Sequence, residues 1–191
     1  MTSTTIQPIS IPITQKFMED ASRYAIKIVF SSFQQGMKPI FGDGGITNHL
    51  RGKIGEMAFY EFCIFHGIAV KHKPFRDDYS VLDDQDDFKV ILKDKLAQVE
   101  VKTTKLKNPL KIPDDQIVFY NKLQFDQKKN HRFLVVFAAT NPEMTQVVLL
   151  GWIPAPKIKG FPIRNDIKSP AYVIQVRSLS TMQNLLEVNK Q

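Results

Sequence analysis

The chain has 191 residues, 43% of them hydrophobic and 24% charged, which provides for one globular domain with a sizeable core and requires no second one. No apolar run approaches the roughly 20 residues of a membrane span, and the N-terminus lacks the basic-then-apolar pattern of a secretory signal, so no membrane association is expected. A single cysteine, Cys63, excludes an internal disulfide framework and points to a reducing, cytoplasmic setting.

The formal charge is +7, but its distribution says more than its sum. Residues 1–100 hold 12 basic and 13 acidic side chains, whereas residues 101–191 hold 14 and 6, leaving the second part at +8. Six of the acids crowd into one run: Asp77, Asp78, Asp83, Asp84, Asp86 and Asp87. An acidic focus followed by a basic remainder is what a metal site beside a polyanion-binding surface requires. The competing reading is a basic surface that only keeps the protein soluble.

Residues 1–13 mix Thr, Ser and Ile with Pro8 and Pro12, which exclude a helix and predict an extended arm or a disordered tail. From Thr14, a helix cap, Phe17, Ala21, Tyr24, Ala25 and Ile28 recur at helical spacing until Gly36. Residues 36–48 read as a loop; its glycines are not followed by Gly-Lys-Ser/Thr, so a nucleotide-binding loop is ruled out. A second helix is expected over 49–66, capped by Asn48 and apolar nearly all round, with Leu50, Ile54, Met57, Ala58, Phe62 and Phe65 on its main face. Cys63 lies in this helix as a core residue. So much apolar surface makes Glu56 and Glu61 conspicuous. On a helical wheel Glu61 falls inside the main stripe and Glu56 outside it, and an ion pair with Lys53 is the alternative for either.

A short strand at Ile68-Ala69-Val70 leads into the Asp-rich loop, which lacks the central glycine and terminal glutamate of an EF-hand. A hairpin follows: Phe88-Lys89-Val90, a turn at Lys93-Asp94-Lys95, then Val99-Glu100-Val101-Lys102-Thr103-Thr104. Strand alternation puts Val99, Val101 and Thr103 on one face and Glu100, Lys102 and Thr104 on the other. A glutamate and a lysine in an apolar strand need a reason to be there, since neither is normally buried unless paired. An aspartate opening the first strand can meet the glutamate of the second across the sheet, giving two carboxylates beside an ammonium. Such hard oxygen ligands suit Mg²⁺, and the lysine is placed to orient or deprotonate a water attacking a phosphodiester. A cross-strand ion pair with no chemistry is the competing reading.

Beyond Thr104, Lys105, Lys107 and Lys111 form a basic loop beside this strand, fitted to phosphate contact. Residues 116–132 read as a strand then a helix, with Gln124, Gln127, Lys128, Lys129 and Arg132 available to phosphate. Phe133–Ala138 and Val147–Ile153 are continuous apolar runs expected as central strands, and Ala171–Val176 alternates as an edge strand would. Lys157, Lys159, Arg164 and Lys168 form a second basic loop, and Ser180–Val188 a C-terminal helix. Trp152 and the phenylalanines read as core.

Three segments together, Gly52-Lys53-Ile54-Gly55-Glu56-Met57-Ala58-Phe59, Asp87-Phe88 and Glu100-Val101-Lys102-Thr103-Thr104, resemble the PD-(D/E)XK nuclease superfamily, over about residues 49–105. The resemblance implies an α/β fold, a mixed central β-sheet flanked by helices. It implies Glu56, Asp87 and Glu100 as metal ligands, Lys102 as the residue activating water, and Mg²⁺ as cofactor, with Mn²⁺ able to substitute. Asp83, Asp84 and Asp86 are alternatives to Asp87. The reaction implied is endonucleolytic hydrolysis of DNA, with Lys53, Lys105, Lys107, Lys111, Lys128 and Lys129 meeting phosphates. The glutamine-bearing motif of RecB-like exonucleases is absent, which favours a restriction-endonuclease-like or junction-resolving enzyme, and by analogy a homodimer on symmetric sites. A catalytically silent nucleic-acid-binding or assembly subunit with the same fold is the alternative.

Overall fold

The computed structural model describes residues 8–34, 45–71, 88–128 and 130–190. Its organising element is the hairpin. Strand β2 (Phe88–Leu92) buries Phe88, Val90 and Leu92 while Lys89 stays exposed. Lys93 and Asp94 then take φ of 49° and 58°, the left-handed conformation of a two-residue hairpin turn. Leu92 pairs with Lys95, so Lys95 is the first residue of β3 (Lys95–Lys105) and not part of the turn.

β3 runs antiparallel to β2 and parallel to β5 (Phe133–Thr140). β5 continues antiparallel to β6 (Val147–Pro154), with a bulge between Phe137 and Ala138. On the far side of β6 lies β1 (Ile9–Ile11), so part of the predicted arm is an edge strand, pairing Ile9 with Leu149. The sheet order is therefore β1-β6-β5-β3-β2, mixed as expected. β5 and β6 are its buried inner strands.

Helices α1 (Gln15–Gln34) and α2 (Gly45–Phe65) precede the hairpin. Thr14 caps α1 as predicted, its hydroxyl accepting from the Phe17 N–H at 3.2 Å. α2 begins at Gly45, one turn earlier than expected, so Asn48 lies inside the helix and accepts from Arg51 at 3.4 Å. No proline interrupts 45–48, and the helix extends through them. Its last two residues leave the core: Ile64 and Phe65 are exposed, although Phe65 was expected on the main apolar face.

Between β3 and β5 come β4 (Ile117–Asn121) and α3 (Lys122–Gln127), the latter capped by Asn121. After β6 follow α4 (Ala155–Ile158), β7 (Ile163–Arg164), β8 (Ala171–Gln175) and α5 (Met182–Lys190). β4, β8 and β7 make a second sheet in the order β4-β8-β7. β8, expected at an edge, is thus a central strand. Alternation reports that one face is less buried, and says nothing about whether the strand's hydrogen-bonding edges are free.

Two cores follow, one on each face of the main sheet. On one side Phe17, Ile54, Phe59, Phe62, Phe88, Val99, Val101 and Leu185 join α1, α2 and α5 to the sheet. On the other, Tyr120, Phe125, Val135, Phe137, Leu150, Ile158 and Ile174 join it to the second sheet, α3 and α4. Cys63 is fully buried as expected, and burial pushes its thiol up to about 12. Gly151, at φ 149°, admits the segment 179–180: a Cβ there would lie 2.5 Å from the Ser180 carbonyl oxygen. Trp152 exchanges backbone hydrogen bonds with Ser180, and its indole N–H donates to the Thr181 carbonyl at 3.0 Å.

The contact that sets α2 on β3 is Gly55 against Thr103, where an added Cβ would overlap the Thr103 hydroxyl. Alanine gains up to about 1 kcal/mol in helix propensity over glycine, but overpacking a closed contact costs about 1–3 kcal/mol. Gly55→Ala is expected to lower stability in urea unfolding, and Thr103→Ala in the same chain to recover most of the loss. If Gly55→Ala alone is more stable than wild type, α2 does not depend on this contact.

Candidate active site

The alternation of β3 separates its two faces as predicted. Thr103 turns toward α2, within 3.5 Å of the Gly52 carbonyl. Glu100 and Lys102 turn the other way, toward β4 and α3. Glu100 is 5% exposed and sits at the join of the two sheets. One carboxylate oxygen, Oε1, is 2.6 Å from Lys102 Nζ. The other, Oε2, accepts from the Tyr120 hydroxyl at 2.6 Å and faces Lys128 Nζ at 3.5 Å. Lys102 also donates to Gln124 Oε1 at 3.1 Å, and its ammonium lies 5.2 Å from the centre of the Tyr120 ring.

Burial is the largest influence on Glu100 and raises its pKa, but Lys102, Lys128 and the two hydrogen bonds together outweigh it. The carboxyl is therefore held below the ordinary range and is ionised at neutral pH. Lys102 keeps 28% of its side chain open to solvent and Lys128 14%, so the ammoniums border the buried anion on its solvent side. An ionised carboxylate beside a partly accessible amine can hold a cation, orient a water or bind an anion through the amine.

Of the remaining expected residues, Asp87 and its alternatives Asp83, Asp84 and Asp86 lie outside the described residues, as does Lys129. Strand β2 opens at Phe88, the residue after Asp87, and Phe88 pairs with Val99, the residue before Glu100. Glu56 faces Lys53, its neighbour one turn away on α2, and the two form an ion pair. α2 packs on the Val99–Val101–Thr103 face of β3, whereas Glu100 turns to the other face. Glu61, the other candidate on the wheel, is exposed. Among the described residues no three His, Cys, Asp or Glu side chains are grouped to hold a metal ion.

Lys53, expected at a nucleic-acid surface, is instead 4% exposed, with its ammonium 3.8 Å from the centre of the Tyr24 ring. Lys128 is also drawn inward, to Glu100, and not spread on the surface. Lys105, Lys107 and Lys111 are exposed at the end of β3 and on the loop that follows. Tyr120 was not singled out by the sequence, although a signal was present. Val118 and Tyr120 alternate with Phe119 on a strand, and a tyrosine on an inward face needs a partner for its hydroxyl.

A comparison with known protein families matches none, and a comparison with curated proteins also returns no match. The structure shows a mixed α/β protein in which a buried Glu100 and a partly exposed Lys102 share one face of a strand that lies between its two cores. Among the described residues no helix is long and apolar enough to cross a membrane.

Replacing Glu100 by Gln leaves Lys102 and Lys128 facing a neutral amide, and breaking such a buried pair costs about 3 kcal/mol. Because the folded carboxyl is more acidic than the unfolded one, this stabilisation is complete above the unfolded value near pH 4.3 and is lost as pH falls through the lower folded value. Urea unfolding of wild type and Glu100→Gln should therefore differ most at pH 6–7 and converge in acid. Equal stability at pH 7 would contradict the described network.

Proposed function

We propose that the protein is a Mg²⁺-dependent nuclease that hydrolyses DNA phosphodiester bonds, most like a restriction endonuclease. The observation that carries this reading is the pairing of an ionised, buried Glu100 with a partly accessible Lys102 on one strand face. The donor chemistry fits a hard cation, because Mg²⁺ takes one or two carboxylates and fills its other positions with water and phosphate oxygens. Glu100 and Asp87 would supply carboxylates, with Glu56, ion-paired to Lys53 through one oxygen, as the third. When bound, the ion would neutralise charge on the phosphate and lower the pKa of water.

The chain's own residues have separable tasks. Lys102, aimed by Gln124 and Glu100, would hold the attacking water and take part in its deprotonation. Glu100, kept ionised, would supply the fixed negative charge that holds the ion and the ammonium in register. Lys105, Lys107 and Lys111 provide exposed positive charge for the phosphate backbone, and Lys128 adds an ammonium at the rim of the site. A cytoplasmic setting and a homodimer matched to two-fold symmetric DNA accompany this reading by analogy.

A second reading, a DNA-binding subunit without turnover, is favoured by the number of groups already engaged with Glu100: two ammoniums and a phenol. Incubation with plasmid in Mg²⁺, with and without EDTA, separates the two. The nuclease reading expects nicking or linearisation that EDTA abolishes, and DNA binding without cleavage on varied substrates supports the second. Lys102→Ala should lose at least about 100-fold in rate, as removal of a general acid-base group does, while duplex affinity stays nearly intact. A Lys102→Ala rate equal to wild type would remove Lys102 from the mechanism.

A further inference from the structure

Tyr120 is fully buried, so it cannot touch DNA or water at the site, yet it contacts both members of the Glu-x-Lys pair. Its hydroxyl donates to Glu100 Oε2 at 2.6 Å, and the face of its ring lies 5.2 Å from Lys102 Nζ. The ring is itself held edge-on against Phe125, 5.5 Å between centroids, and its backbone pairs with Tyr172 of β8. Tyr120 therefore belongs to the second sheet while acting on the first.

We infer that Tyr120 is a positioning residue of the active site, through which the second sheet sets the orientation of the Glu100 carboxylate and the seat of the Lys102 ammonium. This rests on the nuclease reading for what the positioned groups then do. The physical case is that a carboxylate two bonds beyond the strand's Cβ turns about its terminal torsion in a broad, roughly two-fold well. A short hydrogen bond from a rigid, buried donor removes that freedom and leaves Oε1 presented to the lysine. Lys128, at 3.5 Å and on a flexible stem, is a poorer device for fixing direction. The assignment gives the β4-β8-β7 sheet a role beyond covering apolar surface.

Tyr120→Phe deletes the hydroxyl and keeps the ring, and Tyr120→Leu deletes both. Circular dichroism and thermal melting establish that each variant is folded. Mn²⁺ affinity is then read by calorimetry without DNA, and kcat and KM are read on a cleavable duplex. Groups that orient a ligand typically matter about 10–100-fold in metal affinity or activity when removed. For folded Tyr120→Phe we expect weaker Mn²⁺ binding and a lower kcat, each by about tenfold, at unchanged KM for DNA. Tyr120→Leu should lose more, because Lys102 also loses its aromatic neighbour. A Tyr120→Phe protein with wild-type Mn²⁺ affinity and kcat, or altered only in KM, overturns the role of Tyr120 and leaves the nuclease reading intact. Wild-type protein that neither binds Mn²⁺ nor cleaves any duplex overturns the nuclease reading, and the positioning role with it.

Discussion

The constraint on which the rest of the structure depends is the burial of one negative charge. A carboxylate taken out of water costs several kcal/mol unless cations and donors surround it. Glu100 meets that demand from three places in the chain: Lys102 on its own strand, Tyr120 on β4, and Lys128 just beyond α3. Only a packing that lays the second sheet against the Glu100 face can supply the last two. The fold and the candidate site are thus one problem. The two sheets must meet where the carboxylate is, or the charge is stranded.

β3 acts as a partition because strand side chains alternate with a period of two. One face, Val99, Val101 and Thr103, receives α2 and its Gly55, a contact tight enough to exclude any larger side chain. The other face carries the ionisable pair toward β4 and α3. The helical layer settles its own charges separately. Lys53 and Glu56 pair within α2 beneath Tyr24.

How much was legible beforehand varies with the range of the interaction. Thr14 as a cap, the presence of a hairpin turn at Lys93-Asp94 and the inner strands β5 and β6 were readable because caps, turn chemistry and apolar runs are local, although Lys95, expected in the turn, belongs to β3. Asn48 misled because a good cap residue is also tolerated inside a helix when nothing upstream stops it. β8 misled because its alternation describes faces, whereas its central place was decided by β4 and β7 arriving from other parts of the chain. Lys53 misled because its burial comes from the Tyr24 ring, which reaches it from α1 through helix packing that no local pattern shows.

The sequence by itself determined that Glu100 and Lys102 share a face, since two residues on one strand must, whatever packs around them. It also determined that this strand follows a hairpin, and that a helix rich in apolar residues precedes it. Tertiary structure alone decided which groups close on Glu100, because Tyr120 and Lys128 are 20 and 28 positions away and reach it only through the docking of one sheet on another. It alone decided, too, which face of α2 meets β3: a helix can turn any of its faces to a sheet, and the choice was made by the glycine that lets α2 approach Thr103.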